Sequence, residues 1–433
     1  MDAGSIGLIN SHLHRFGGAR PRFTGRPPRL PIESLFALIR VHSRFRKFRM
    51  IYLDNNATTA VDPQVLDAML PYLKEQYGNP SSAYSFGKKV ARAIDHAREQ
   101  VASLLHCEPA EIVFTSCGTE SDNSAIQSAL LIDRDRKHIV TSKVEHSAIL
   151  KQAETLARRG YEISWLDVDE NGRLDLAALE EAIRPDTAIV SLMWANNETG
   201  VLFPIQEIAT ICQRKQTIFH TDAVQAVGKI PIDLRSGAIQ FLSLSGHKLN
   251  APKGVAALYV NRRTRFNPFL IGGSQEEKRR GGTHNTASII GLGKAAELAA
   301  EHLSEENTRV KNLRDRFEDE VFTRISGLQL NGDKEHRLPN TTNIAIESAD
   351  SEGLLMLLDQ KGVCCSAGSA CTAGSLEPSH VLRAMGFSTE RARASLRFSF
   401  GRFNTEEEVS AAAGILVTAV DRIRSANRGV LAA

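Results

Sequence analysis

The sequence predicts an α/β protein: a large domain built on a mostly parallel sheet, followed by a smaller α+β domain. Three observations predict it. From Met50 onward, short apolar runs alternate with amphipathic stretches, the pattern of strand and crossover helix. The apolar runs end in clusters of small and polar residues, where open α/β sheets place their ligands. From about residue 305 the texture changes to a long charged helix, further strands, a small-residue loop and a closing helix.

Taken in order, "EIVFTS" (111–116), "HIVTS" (138–142), "AIVSLMWA" (188–195), "TIFHTD" (217–222) and "FLSLSG" (241–246) read as strands, each bounded by polar or glycine signals. Between them "IQEIATICQRK" (205–215) is apolar on one side only, as a surface helix requires. "NTRVKNLRDRFEDEVFTRI" (307–325) opens the second texture, and the stretch after "FNTEEEVSAAAGILVTAV" (403–420) closes it with a helix. The expected division is a segment at 50–60 packing with the small domain, a large domain at 61–304 and a small one at 305–433.

Residues 1–49 stand apart. They carry nine Arg and one Lys against Asp2 and Glu33, a net +8, which leaves −5 for the rest of a chain whose total is +3. The basic balance therefore belongs to the leader and gives the body no call for nucleic acid. An Arg-rich, acid-poor leader suits an organellar transit peptide, and an export signal less well because the apolar run "LFALI" is short. The remaining reading is a disordered or natively untranslated segment. No apolar run approaches the roughly 20 residues of a membrane span, so no membrane partner is expected, and the location expected is cytoplasmic unless the leader directs import.

Three strand ends carry complementary chemistry. After "FTS", Gly118 and Thr119 turn into an amphipathic helix whose first backbone N–H groups can take a phosphate, although an ordinary helix cap reads the same way. Asp222 closes "TIFHTD" and can stabilise a protonated ring nitrogen. Lys248 follows "FLSLSG" through His247, 26 residues beyond Asp222, which fits one crossover. Each alone is ordinary surface chemistry; the set of phosphate cradle, acid and lysine can bind pyridoxal phosphate.

Residues 364–375, "CCSAGSACTAGS", hold three of the six cysteines. A zinc site is disfavoured because Cys107, Cys117 and Cys212 are single and scattered, so no intrinsic metal is expected. Adjacent cysteines rarely bridge each other, and nothing marks the chain as secreted. Cys364 and Cys365 follow the apolar "LLMLLDQKGV" and read as packing thiols. Cys371 differs: Gly368, Ser369, Ala370, Thr372, Ala373 and Gly374 around it have little to bury, so the thiol reads as a carrier able to visit a site elsewhere.

The chain from Met50 to near its end resembles the cysteine desulfurases of iron-sulfur cluster assembly, the NifS branch most closely. The matching motifs are "YLDNNATT", "GNPSSAYSFG", "FTSCGTESDN", "EHSAIL", "WANNETG", "HTDAVQAVGK", "SGHKLNAPKG", "GSACTAGSLEPSHVLRAMG" and "RFSFGRFNTEEE". The resemblance implies a fold type I pyridoxal-phosphate enzyme that converts L-cysteine to L-alanine and leaves a persulfide on Cys371. It makes Lys248 the covalent attachment point and proton shuttle, Asp222 the partner of the pyridinium nitrogen, and His146 the residue stacked on the ring face. Asn197 and Gln225 would hydrogen-bond the ring oxygen. Gly118, Thr119, Ser245 and His247 would hold the phosphate, with Thr283 reaching across from a second subunit of a homodimer, and Arg397 would bind the substrate carboxylate. The implied partner is an iron-sulfur scaffold, whether nitrogenase-directed or housekeeping, or another sulfur-acceptor protein, with Cys371 a transient iron-sulfur ligand shared with a scaffold. Members of the family usually begin a few residues before "YLD", so Met50, two residues before Tyr52, is the expected native start. Two departures stand out: Cys117 where the family often has Gly or Ala, and "CSAGSAC" where two serines commonly precede the glycine. A selenocysteine lyase, an aminotransferase or a non-catalytic assembly subunit are the alternatives, the first two disfavoured because neither needs a loop of that reach.

Overall fold

The computed structural model describes residues 50–367 and 377–431, with no side chain described beyond Asn427. The leader and the Cys371 loop therefore lie outside the described residues. The large sheet contains β2 (Ile112–Thr115), β3 (His138–Ser142), β4 (Glu162–Leu166), β5 (Thr187–Ser191), β6 (Ile218–Asp222), β7 (Phe241–Ser245) and β8 (Ala256–Val260). They lie in the order β2-β8-β7-β6-β5-β3-β4, all parallel in sense except β8, which is antiparallel to both neighbours. β3, β5, β7 and β8 are buried along their whole length, polar residues such as His138, Ser243 and Ser245 included, as strands covered on both faces are.

β2, β6 and β7 share one direction, so their carboxyl ends, at Thr115, Asp222 and Ser245, open on the same edge of the sheet. The expected strand 188–195 ends early, at Ser191. Leu192 and Trp194 still donate backbone N–H bonds to His220 and Asp222, but Met193 and Ala195 turn out to line a cavity at that edge. The apolar run continues past the strand because Leu192 and Trp194 are buried in the core while Met193 and Ala195 supply apolar parts of the cavity wall.

Helices α1 (Pro63–Lys74), α2 (Ser85–Leu105) and α7 (Thr286–Glu305) pack together on this domain. α2 and α7 approach closely at Gly293, where a Cβ would stand 2.6 Å from the Cα of Ala97. α3 (Gly118–Ile132), α4 (Ser147–Ala157), α5 (Leu176–Ala182) and α6 (Ile205–Arg214) supply the other layers. A second core forms around Phe317, Ile344, Phe398, Phe400 and Leu416, and includes Ile51 and Leu53 from the first described residues. It packs α8 (Lys311–Arg324) and α12 (Glu406–Leu431) on a sheet ordered β12-β13-β10-β9, where β9 is Leu328–Leu330, β10 Thr341–Ile346, β12 Ser366–Ala367 and β13 Ser395–Ser399. β1 (Ile51–Tyr52) pairs in parallel with β11 (Val363–Cys364). The change of texture near residue 305 falls inside a continuous helical run, since a π turn, Glu306–Val310, joins α7 to α8.

One loop is held against its own backbone preference. Glu276, Glu277 and Lys278 have φ of +47°, +55° and +66°, the left-handed region that costs L residues roughly 1 kcal/mol or more each. What holds it is Glu276, which accepts from Arg98 at 2.7 and 2.9 Å, from His284 at 2.8 Å and from the Phe114 backbone at 2.9 Å. Burial pushes the Glu276 carboxyl up, but Arg98 and His284 overcome it and hold the group at about 2. A carboxyl lowered by folding stabilises the protein above its unfolded pKa and stops doing so as pH falls through the folded value. Glu276→Gln is therefore expected to destabilise by about 3 kcal/mol at neutral pH. In urea titrations the difference from the parent protein should shrink below pH 4.5 and vanish near pH 2; a pH-independent difference would deny the ionic origin.

Candidate active site

A cavity of about 240 Å³ opens where the strand ends meet. Lys248 reaches it from a 3₁₀ turn, Gly246–Lys248, directly after β7. Its Nζ donates to the backbone carbonyl of Ala57 at 2.8 Å and to that of Asn56. Asp222 ends β6 and is buried; its Oδ1 accepts from the Val224 backbone at 2.9 Å. Burial raises the Asp222 carboxyl, while His146, the Val224 N–H and Lys248 draw it back toward the charged form. His146 caps the start of α4, its Nδ1 accepting from the Ala148 backbone at 3.2 Å, which puts the proton of the neutral ring on Nε2.

Gly118 begins the fifteen-residue α3 behind the extended Cys117, and Thr119 is exposed at the mouth. A Cβ on Gly118 would stand 2.9 Å from Val224 Cγ2, so glycine keeps the helix start tight against the turn after β6. Ser245 is buried on the cavity wall. Burial, then the neighbouring Lys248, Lys253 and Lys229, push His247 down to about 4, so it is a neutral hydrogen-bonding group at pH 7.

Arg397 comes from β13 and is only 1% exposed. Its Nη1 donates to the Asn197 carbonyl at 2.9 Å and its Nη2 to Asp54 Oδ1 at 2.7 Å, while its buried Nε has no hydrogen-bond partner among the described residues. A buried guanidinium N–H without an acceptor is costly in isolation and natural where an anion is to be received. Asn197 and Gln225 also line the cavity. Of the sequence-predicted residues within the described range, ten meet here: Gly118, Thr119, His146, Asn197, Asp222, Gln225, Ser245, His247, Lys248 and Arg397. Thr283 does not; it is exposed and absent from the lining of the chain's own cavity. Cys371 lies outside the described residues, but the strand before it is placed: Ser366 pairs with Arg397 and Ala367 with Leu396.

Several participants were not singled out from the sequence. Asn56 and Ala57 act through backbone carbonyls, which side-chain chemistry does not advertise, and Asp54 reaches Arg397 from 343 residues away. Asp122 lines the cavity one helical turn into α3; it is buried, and burial together with the Asp222 charge keeps its carboxyl well above the usual range. Cys364 and Cys365 are half-buried rather than fully packed. Burial raises both thiols, aided by Asp359 and Asp54 at Cys364 and by Asp54 at Cys365, so neither is poised as a thiolate.

The donor set fits pyridoxal phosphate. A helix start with a serine and a neutral histidine suits a phosphate, a buried carboxylate suits a pyridinium nitrogen, and a lysine stands at the same cavity. Fold and site thus define a pyridoxal-phosphate-dependent enzyme of fold type I, and residues 51–412 match the family described as aminotransferase class-V. The chain is 53% identical to the cysteine desulfurase NifS of Azotobacter vinelandii over 83% of its own length and 90% of that protein's. It is 50% identical to a cysteine desulfurase of Trichormus azollae over 87% and 94%. Among solved structures, a NifS-like protein superposes with a TM-score of 0.81 at 34% identity, covering 86% of this chain and 99% of the other. SspA in complex with cysteine gives 0.73 at 34% identity, covering 82% and 99%. The chain belongs to the cysteine desulfurase family.

Proposed function

We propose that this enzyme takes sulfur from L-cysteine, releases L-alanine, and carries the sulfur as a persulfide on Cys371 to an acceptor protein that builds iron-sulfur clusters. The observation that supports it most is one of placement. The cavity holding Lys248 and Asp222 also receives Arg397, and the strand leading to the Cys371 loop is paired with Arg397 itself. On this reading Arg397 takes the substrate carboxylate, and the chain that continues from its partner strand supplies the sulfur-accepting thiol.

Pyridoxal phosphate, when bound, supplies an electron sink for a substrate carbon that loses its proton. Lys248 moves that proton at the substrate Cα, from an amine held beside the Asn56 and Ala57 carbonyls. Asp222, its carboxyl raised by burial and drawn back by His146, the Val224 N–H and Lys248, would face the pyridinium nitrogen, and His146 would cover one ring face. Arg397 takes the carboxylate, with Asp54 and the Asn197 carbonyl fixing the plane of the guanidinium. The Cys371 thiolate then attacks the substrate sulfur. An S–S bond forms, the substrate Cβ–S bond breaks, and Cβ gains a proton, so L-cysteine and a thiol become L-alanine and a persulfide with no external oxidant or reductant.

The same reading makes the enzyme a homodimer in which Thr283 completes the partner's phosphate site. The exposed Phe269, Leu270 and Ile271 on the loop before Thr283 suit such a contact. It also makes the acceptor a protein, since a sulfur held on a thiol must be handed over directly. No described helix is long and apolar enough to cross a membrane, and we place the reaction in the cytoplasm. Incubation with L-cysteine and a thiol should yield L-alanine and sulfide in equal amounts. Formation of a keto acid with amino-group transfer instead would assign the chain to aminotransferase chemistry.

A further inference from the structure

Behind Lys248 lies a second, smaller cavity, of about 30 Å³, lined among others by Lys229, His302, Glu306 and Arg402. Lys229 is buried, 6% exposed, and its Nζ donates to the backbone carbonyl of Gln225 at 3.2 Å and to Gln225 Oε1 at 3.1 Å. Gln225 in turn donates from Nε2 to the Asn56 carbonyl at 3.0 Å, the same carbonyl that accepts from Lys248. The amide orientation follows from chemistry alone. An ammonium has no acceptor, so only the oxygen of the amide can face Lys229, and only its NH₂ can face a carbonyl. One N–H is spent on Asn56, which leaves the second for another acceptor, and Gln225 lines the active-site cavity.

The cation has a half-buried carboxyl group near it. Glu306 is the first residue of the π turn between α7 and α8, and one of its carboxylate oxygens has no hydrogen-bond partner among the described residues. Burial lowers Lys229 to about 8, opposed by Glu306 and assisted by Arg397; burial raises Glu306 to about 7, opposed by Lys229, Arg309 and Arg402 and assisted by Glu305. His247 also feels the Lys229 charge, and His302 shares the small cavity. A lysine buried among these groups does not shield surface or fill apolar space; among the described residues its ammonium is held by Gln225 alone, through the backbone carbonyl and the side-chain amide oxygen.

We propose that Lys229 is a positioning residue for the cofactor, holding the Gln225 carboxamide by its oxygen so that the NH₂ donates to the ring oxygen. The inference rests on the assignment of Gln225 to that oxygen. Fixing the amide by a cation also polarises it and strengthens the hydrogen bond it donates. A donor to an anionic oxygen favours the deprotonated form, so losing it raises the pH at which the bound cofactor's chromophore titrates.

The test is a pH titration of the visible absorbance of the holoenzyme, without substrate, in the parent protein, Gln225→Leu, Lys229→Met and the double variant. Gln225→Leu should raise the midpoint by roughly one unit. Lys229→Met should raise it in the same direction by a comparable amount, and the double variant should move no further than Gln225→Leu alone. Should Lys229→Met fail to fold because Glu306 is left half-buried and unpaired, Lys229→Met with Glu306→Gln removes both charges and carries the same comparison. An unmoved midpoint in the Lys229 variants, or shifts that add, would overturn the inference while leaving Gln225 in place. An unmoved midpoint in Gln225→Leu would instead overturn the assignment on which the inference stands, and the inference with it.

Discussion

Lys248→Ala should fold, retain the cavity and lose the reaction. Alanine formation from L-cysteine should fall by a factor of roughly 10³ or more, since both covalent catalysis and the proton shuttle depend on this amine. The amine is held by two carbonyls of the segment after β1, Asn56 and Ala57, at the floor of the site. No described neighbour can replace it: Lys229 is committed to Gln225 in the cavity behind. Denaturation of the variant should release any bound cofactor without a reduction step, whereas the parent protein treated with borohydride should retain it on Lys248 as a stable amine. Turnover near the parent rate would remove Lys248 from its assigned role.

Cys371→Ala should separate two events that the parent enzyme couples. On the proposed roles, proton removal falls to Lys248 and sulfur capture to Cys371, so the variant should bind the cofactor, bind L-cysteine and exchange the substrate Cα proton with solvent deuterium. Alanine release should fall by a factor of about 10² to 10⁴, because a thiol delivered within the site has an effective concentration that free thiol does not match. Cys364→Ala and Cys365→Ala should leave alanine formation nearly unchanged. Both thiols are held protonated by burial and by nearby carboxylates, and Cys364 lies in the β1–β11 ladder. Loss of Cα exchange in Cys371→Ala would mean that the loop also shapes the proton-transfer step.

What was legible in the sequence follows from what side chains advertise. β3, β6 and β7 were read nearly to the residue, because strands covered on both faces hold short apolar runs and end abruptly in polar groups. β4 lacks that signature: it is one of the two edge strands, and unlike β2 at the other edge it is exposed or half-buried from Glu162 to Trp165. β1, β11 and β12 are two residues each, too short for any period to show. In the site, Asp222, Lys248 and the Gly118 helix start were visible as chemistry at strand ends. Arg397, His146 and Asn197 entered only through the family resemblance, since an arginine inside "LRFSF" reads as an ordinary strand residue until the fold buries it beside Asp54. Lys229 escaped notice for the same reason: its meaning is the amide it faces, and no linear pattern records which group a buried lysine faces.

The claim at the centre is that Cys371 receives the sulfur. It is tested most directly by mixing the enzyme with one equivalent of L-cysteine, quenching within a single turnover, and mapping the added sulfur by mass spectrometry of cysteine-containing peptides under non-reducing conditions. One extra sulfur on Cys371, appearing in step with one equivalent of L-alanine, is the predicted result. Sulfur appearing first on Cys117, Cys364 or Cys365, or full alanine formation with Cys371 unmodified, would contradict the account.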